Sequence, residues 1–387
     1  MTGRDVDQAT SAPWAVVEFI PELIPELSPT TGEIGATAIV AGLSLVARHA
    51  RVAARARLGG VRFVCPDDGI RDDVLAALTR RPAPRGFAVD VVVGDDTGAG
   101  PAPPAVVRLT ALAVYTAEAV ARAAAAGEPP APLATITTRA DARAVERELQ
   151  RAFRKSVDAD GVVAYHVARR VSRAVTPLLV RTAITPNQVT LVALACGLVA
   201  AGLAATGGYA ACVAAGLLLF AGSVIDCMDG EIARLRLEFS KAGEWLDSIA
   251  DDLSTFGVLA GLGVGLARSG AGEIWWWVGP GGAVVGLATQ AWLYRDLHRR
   301  RLPIDTAQYP WFFGTPSSSG TLRRGVVAQV VRAIGFGFRR DAFVVLVALG
   351  LAFDLRRTVT VVMCGGGLLV TLLVVAQLLV GGRRPVT

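Results

Sequence analysis

Apolar residues are spread unevenly along this chain. Up to about residue 185, short apolar runs alternate with charged, Pro-rich and Gly-rich stretches; beyond it, long uncharged runs dominate. Val189 to Thr206 carries no charge for 18 residues, Tyr209 to Ile225 for 17, Ile274 to Tyr294 for 21 and Thr358 to Val380 for 23. Trp245 to Ala267 is comparable in length, interrupted by Asp247, Asp251 and Asp252 only at its start. Each run approaches the roughly 20 residues that cross a hydrocarbon layer as a helix. Ala342 to Phe353 is shorter, 12 residues between Asp341 and Asp354. It counts as a sixth span because an odd total would leave the two ends of the membrane part on opposite sides.

The first half follows another rhythm. Ala36 to Leu45 reads as a strand and turn, Val46 to Leu58 as a helix, and Val61 to Cys65, Ala88 to Val93 and Val106 to Leu109 as short strands. Thr116 to Ala126 and Asp141 to Phe153 read as helices around a Pro-rich break at 127–132. Strands alternating with helices predict a Rossmann-like α/β domain with a largely parallel sheet. The expected division is therefore an α/β domain over 1–150, a juxtamembrane amphipathic connector over 151–187, and an all-α domain of six transmembrane helices over 188–387.

Composition agrees with this division. The chain is 387 residues long and 52% hydrophobic, with a mean hydropathy of +0.47, too apolar for an ordinary soluble protein of that length. Arginine supplies nearly all of the positive charge behind the net +6, a compositional bias that does not by itself indicate a nucleic-acid partner, and none is expected. The five cysteines have no CxxC spacing, which argues against a disulfide framework or a zinc site. Met-Thr-Gly-Arg-Asp at the start lacks an apolar signal core, so the first domain is expected to stay in the cytoplasm. Nine arginines between Arg295 and Arg340 face only Asp296 and Asp305, and the positive-inside rule places this loop, both termini and the loop after Ile225 on the cytoplasmic side.

The chemistry concentrates where the second run ends. Asp226 and Asp229 are three residues apart, Asp247 and Asp251 four apart, so each pair shares one helix face. Carboxylates at the mouth of a membrane helix are costly unless neutralised, and they mark function. Four convergent carboxylates offer a hard oxygen-rich site for Mg²⁺ or Mn²⁺, with room for two ions. A plain acidic turn would not require the small residues Gly230, Ala233 and Gly243 among them.

The spacing D-x-x-D-G-x-x-A-R, eight residues, G-x-x-x-D-x-x-x-D fills every signature position of the CDP-alcohol phosphotransferase family, which this chain resembles. The resemblance implies transfer of a phospho-alcohol group from a CDP-alcohol to an acceptor hydroxyl with release of CMP, in phospholipid or polar-lipid biosynthesis. It implies Asp226, Asp229 and Asp247 as principal metal ligands and Asp251 as general base, also near metal. Gly230, Ala233, Arg234 and Gly243 would line the CDP pocket, with Thr185 and Asn187 of the Thr-Pro-Asn segment close by; Thr185-Pro186 equally suits a plain helix start. Asp252, Glu231 and Glu244 fall outside the signature and are expected to be helix-end solvation or neighbours of arginine.

The order of the first half resembles the nucleotidyltransferase-like domain fused to some family members of the inositol-phosphate cytidylyltransferase and di-myo-inositol-phosphate-phosphate synthase type. That resemblance implies an inositol-phosphate or other polar alcohol acceptor, with Arg339 and Arg340 holding its phosphate. Ala41-Gly42-Leu43-Ser44-Leu45 offers one glycine and no base where active domains cradle a triphosphate, so the first domain is expected to be degenerate. Over 163–180, Arg169, Arg170 and Arg173 suit anionic headgroups at the membrane surface. A homodimer in the cytoplasmic membrane is expected. Two other readings are a bifunctional enzyme that also makes its CDP-alcohol from CTP, and a non-catalytic ion-binding membrane protein or transporter.

Overall fold

The computed structural model describes residues 13–18, 39–93, 106–136, 139–152, 168–302, 306, 309–311 and 340–381. The chain divides into two compact units: Met1–Arg154 with Val180–Thr182 and Ala233–Glu238, and Lys155–Leu179 with Ala183–Ile232 and Phe239–Thr387.

The first unit is built on a parallel sheet of β1 (Trp14–Glu18), β4 (Gly60–Cys65), β5 (Ala88–Val93) and β6 (Val106–Thr110), in the order β5-β4-β1-β6. Ala15, Val16 and Val17 of β1 have no exposed surface, as expected of an inner parallel strand covered on both faces. Between β1 and β4 lie the two-residue strands β2 (Ile39–Val40) and β3 (Leu43–Ser44), which form a hairpin, and helix α1 (Leu45–Arg55). Ser44 starts α1 by accepting a hydrogen bond from the Ala47 amide. Helix α2 (Asp68–Arg80) follows β4, and β6 leads through β7 (Ala113–Val114) to α3 (Ala117–Ala126), β8 (Ala134–Thr135) and α4 (Arg139–Ala152). Val46, Ala50 and Ala53 of α1 pack with Phe63, Val74, Leu109 and Val120 in one core.

The strands expected over 61–65, 88–93 and 106–109 are present to within a residue. Four elements were not foreseen: β1, α2 and the two-residue strands β7 and β8. Because β1 is the first strand of the sheet, the connection that follows it is residues 19–38, outside the described residues, rather than Ala41–Leu45, which the β2–β3 hairpin and the start of α1 take up.

Within the same unit, Arg48 donates through Nη2 to the Val40 and Leu235 carbonyls at 2.9 and 2.8 Å, and Arg51 to the Arg236 carbonyl at 2.6 Å. The fully buried Arg236 side chain donates to the carbonyls of Val180 and Thr182. Guanidinium groups thus satisfy carbonyls that a helix end leaves open.

The second unit is helical: α5 (Arg169–Leu179), α6 (Pro186–Ala205), α7 (Tyr209–Arg236, its last turn in the first unit), α8 (Lys241–Arg268), α9 (Trp275–Arg299), α10 (Arg340–Ala352) and α11 (Arg356–Gly381). Among the described residues, α6, α7, α8 and α11 are long and apolar enough to cross a membrane. The shorter Phe343–Ala352 is apolar throughout, and α9 is a helix of 25 residues. The helices α6, α7, α8, α10 and α11 contribute Ala200, Leu219, Leu262, Val347 and Met363 to a common core. Several apolar helices with many leucines and valines facing outward fit a multi-pass membrane protein.

Helix α8 approaches its neighbours backbone to backbone. A Cβ at Gly261 would lie 2.2 Å from the Ala201 carbonyl oxygen of α6, and one at Gly263 would lie 2.6 Å from the Gly279 Cα of α9. Glycine is what admits such contacts between membrane helices.

Candidate active site

Asp226 and Asp229 stand on α7, and Asp247 and Asp251 on α8, all four in the second unit. One carboxylate oxygen from each of Asp226, Asp229 and Asp247 lies within 4.8 Å of the others; Asp229 is buried and the other two are half-buried. One oxygen of Asp226 and one of Asp247 are shielded from solvent and accept no hydrogen bond. Two ligands of one Mg²⁺ lie at most about 4.2 Å apart at bond lengths of 2.0–2.1 Å. A small side-chain adjustment would therefore let the three oxygens hold divalent cations. This all-oxygen donor set fits Mg²⁺ or Mn²⁺.

Asp251 is not in that close group. It lies one turn further along α8, where it lines a small cavity with Ala193, Gly197, Gly222, Ser223 and Ser254 from α6, α7 and α8. Its neighbour Asp252 is not mere helix-end solvation: it accepts hydrogen bonds from Gln290 Nε2 at 3.0 Å and Tyr294 OH at 2.7 Å, joining α8 to α9. Trp245 packs edge-on against Tyr294 and His298, so His298 belongs to this packed layer and not only to the arginine-rich surface.

Asn187 approaches Gly243: a Cβ on the glycine would sit 3.0 Å from the Asn187 Oδ1 and 2.9 Å from Ser240 Oγ. Thr185 caps α6 in a reciprocal pairing with Gln188, and Pro186 takes the first helical position. Gly230, Ala233 and Arg234 occupy the next turn of α7 and are half-buried. Arg339 lies outside the described residues, and Arg340 opens α10 without its side chain being described.

Sequence reasoning missed Thr190, whose hydroxyl donates to Asp229 Oδ2 at 2.5 Å. Its signal was its place in α6, one turn after Pro186 and Asn187. Arg169 also departs from expectation. It is 7% exposed and bonded to Glu231, whereas Arg170 beside it is exposed.

Residues 183–311, about a third of the chain, match the family model described as CDP-alcohol phosphatidyltransferase. This stretch is a CDP-alcohol phosphatidyltransferase domain. The domain holds the whole carboxylate cluster, Thr190, Asn187 and the Asp252 contacts to α9. The chain is 36% identical over 110 residues to a bifunctional IPC transferase and DIPP synthase of Aquifex aeolicus, covering 28% of this chain and 24% of that protein. A protein of the same description from Thermococcus kodakarensis is 40% identical over 92 residues, 24% of this chain and 20% of its own length. An archaetidylinositol phosphate synthase of Pyrococcus horikoshii is 37% identical over 83 residues, 21% of this chain and 42% of that protein. The match spans about a quarter of the length of the first two relatives.

Proposed function

We propose that the chain is a membrane-embedded CDP-alcohol phosphotransferase that moves a phospho-alcohol group from a CDP-alcohol to an acceptor hydroxyl. The observation that carries this reading is the close approach of Asp226, Asp229 and Asp247 inside a CDP-alcohol phosphatidyltransferase domain. When bound there, divalent cations supply charge neutralisation at the diphosphate and at the departing CMP. Asp226, Asp229 and Asp247 hold the ions. Asp251 takes the proton of the acceptor hydroxyl as its oxygen attacks the phosphorus bearing the alcohol and the bond to CMP breaks. Gly230, Ala233, Arg234 and Gly243, with Asn187 and Thr185, orient the cytidine diphosphate.

An inositol-phosphate-type acceptor, held by Arg339 and Arg340, is supported by the names of the relatives. Six transmembrane helices over 188–387, a connector over 151–187 and an α/β domain over 1–150 would face the site to the cytoplasm, as the arginine distribution favours. A homodimer is part of this proposal. The test is magnesium-dependent release of CMP by the purified chain, given a panel of CDP-alcohols and labelled acceptors. Release with one pair, abolished by chelation, is expected; ion binding without CMP release from any pair would leave an ion-binding scaffold or transporter.

A second reading has its own support. The sheet order β5-β4-β1-β6 is that of an open parallel fold whose ligand crevice lies beyond the carboxyl ends of β1 and β6, and the first relatives are described as bifunctional. Conversion of CTP by the full chain would add a nucleotidyltransferase activity to the transferase.

A further inference from the structure

Glu231 follows the second aspartate of the cluster by two positions and is part of no signature. Its carboxylate is nevertheless hydrogen-bonded at both oxygens. Oε1 accepts from Arg169 Nη1 at 3.0 Å and from Ser172 Oγ at 2.8 Å, and Oε2 accepts from Thr176 Oγ1 at 2.6 Å. The three donors recur at the i, i+3, i+7 spacing of one face of α5, and all are buried, Ser172 completely and Thr176 to 1% exposure. Arg169 Nη1 also reaches the carbonyl of Cys227 at 3.0 Å, in the helical turn between Asp226 and Asp229. One guanidinium therefore grips both the backbone and a side chain of the turn that carries two aspartates of the cluster.

The charge pattern follows from these contacts. Next to a group of carboxylates, another acid raises mutual repulsion unless a cation sits against it. Arg169 supplies that cation, and the two hydroxyls bond one to each oxygen of Glu231. Glu231 stands outside the close carboxylate group, and its bonds tie α7 to α5. That helix lies upstream of residue 183, where the family match begins.

We propose that Glu231, held by Arg169, Ser172 and Thr176, is a positioning residue that sets the Asp226–Asp229 turn for divalent cations, making α5 part of the metal site. This inference rests on the metal reading given under Proposed function. It is tested by Mn²⁺ titration of the purified full chain in detergent, with unbound Mn²⁺ read by electron paramagnetic resonance and folding followed by thermal melting. Outer-shell partners of ligands typically govern about 10- to 100-fold in metal affinity. Glu231→Ala is expected to weaken Mn²⁺ binding by about tenfold or more, and Thr176→Val and Arg169→Lys by less, each with a cooperative melt. A role confined to holding helices together would lower the melting temperature and leave the Mn²⁺ affinity of the folded protein unchanged. Wild type that fails to bind Mn²⁺ overturns the metal reading itself. Wild type that binds, with folded variants of equal affinity, overturns only the role of Glu231. Should Glu231→Ala not fold, Thr176→Val and Arg169→Lys decide by the same criterion.

Discussion

Asp247 and Asp251 are successive acids on one face of α8, yet their surroundings differ: Asp247 lies in the close carboxylate group, and Asp251 lines a small cavity one turn on. Asp247→Asn is expected to lose both Mn²⁺ binding and CMP release, the latter by about a thousandfold, equivalent to roughly 4 kcal/mol of transition-state stabilisation. Asp251→Asn is expected to lose release to a similar degree while keeping most of its Mn²⁺ affinity. Equal loss of binding in both variants would make Asp251 a ligand instead of a base. The grouping of Asp226, Asp229 and Asp247 was legible in the sequence because helical spacing and the signature pattern mark them together. Their supporting residues were not: Thr190 lies 39 positions from Asp229, and Arg169 lies 62 from Glu231. Nothing local distinguishes a buried arginine facing a carboxylate from an exposed one facing headgroups, and Arg169 and Arg170 are adjacent in the chain.

At the level of elements, the apolar runs predicted helices well, since a charge-free stretch of about 20 residues has few alternatives. Strands were legible where β-branched residues cluster, as in Ala88–Val93. Trp14–Glu18 was overlooked although Ala15, Val16 and Val17 form the buried centre of the sheet, because a five-residue run beside a Pro-rich segment carries too little periodicity. Helix α2 escaped for a related reason: only Val74 and Ala77 of its residues are buried, so its apolar stripe is faint. The close pairing of α8 with α9 makes a firm prediction at this scale. Gly263→Val should force the two backbones apart and destabilise the protein by about 1–3 kcal/mol, the usual range for overpacking. A lowered melting temperature in detergent would show it, and Gly202→Ala, where an added Cβ meets nothing within 4 Å, is the control.

At the scale of the whole molecule, one pH-sensitive feature among the described residues lies away from the carboxylates. His49 on α1 is buried with Nδ1 against the Leu45 carbonyl at 2.6 Å, and burial pushes its pKa down from 6.5 to about 4. The folded chain therefore keeps the ring neutral while the unfolded chain takes up a proton below about 6.5. The stability linked to this group is present above pH 6.5 and is lost as pH falls through about 4, a change of roughly 3 kcal/mol. His49→Gln should flatten that part of the denaturation midpoint's pH profile between 4 and 6.5; an unaltered slope would assign the acid sensitivity to other groups. The glycine contacts of α8 bear on how the proposed transferase would pass through a catalytic cycle. Interlocked main chains have no rotamers to exchange, so at Gly261 and Gly263 any approach of α8 toward α6 or α9 meets backbone atoms directly. In the proposed transferase the helix bearing Asp247 and Asp251 would then serve as a fixed post. Admission and exit of reactants then fall to side chains and connecting segments, and turnover should respond more to changes there than to lipid-driven tilting of the helices.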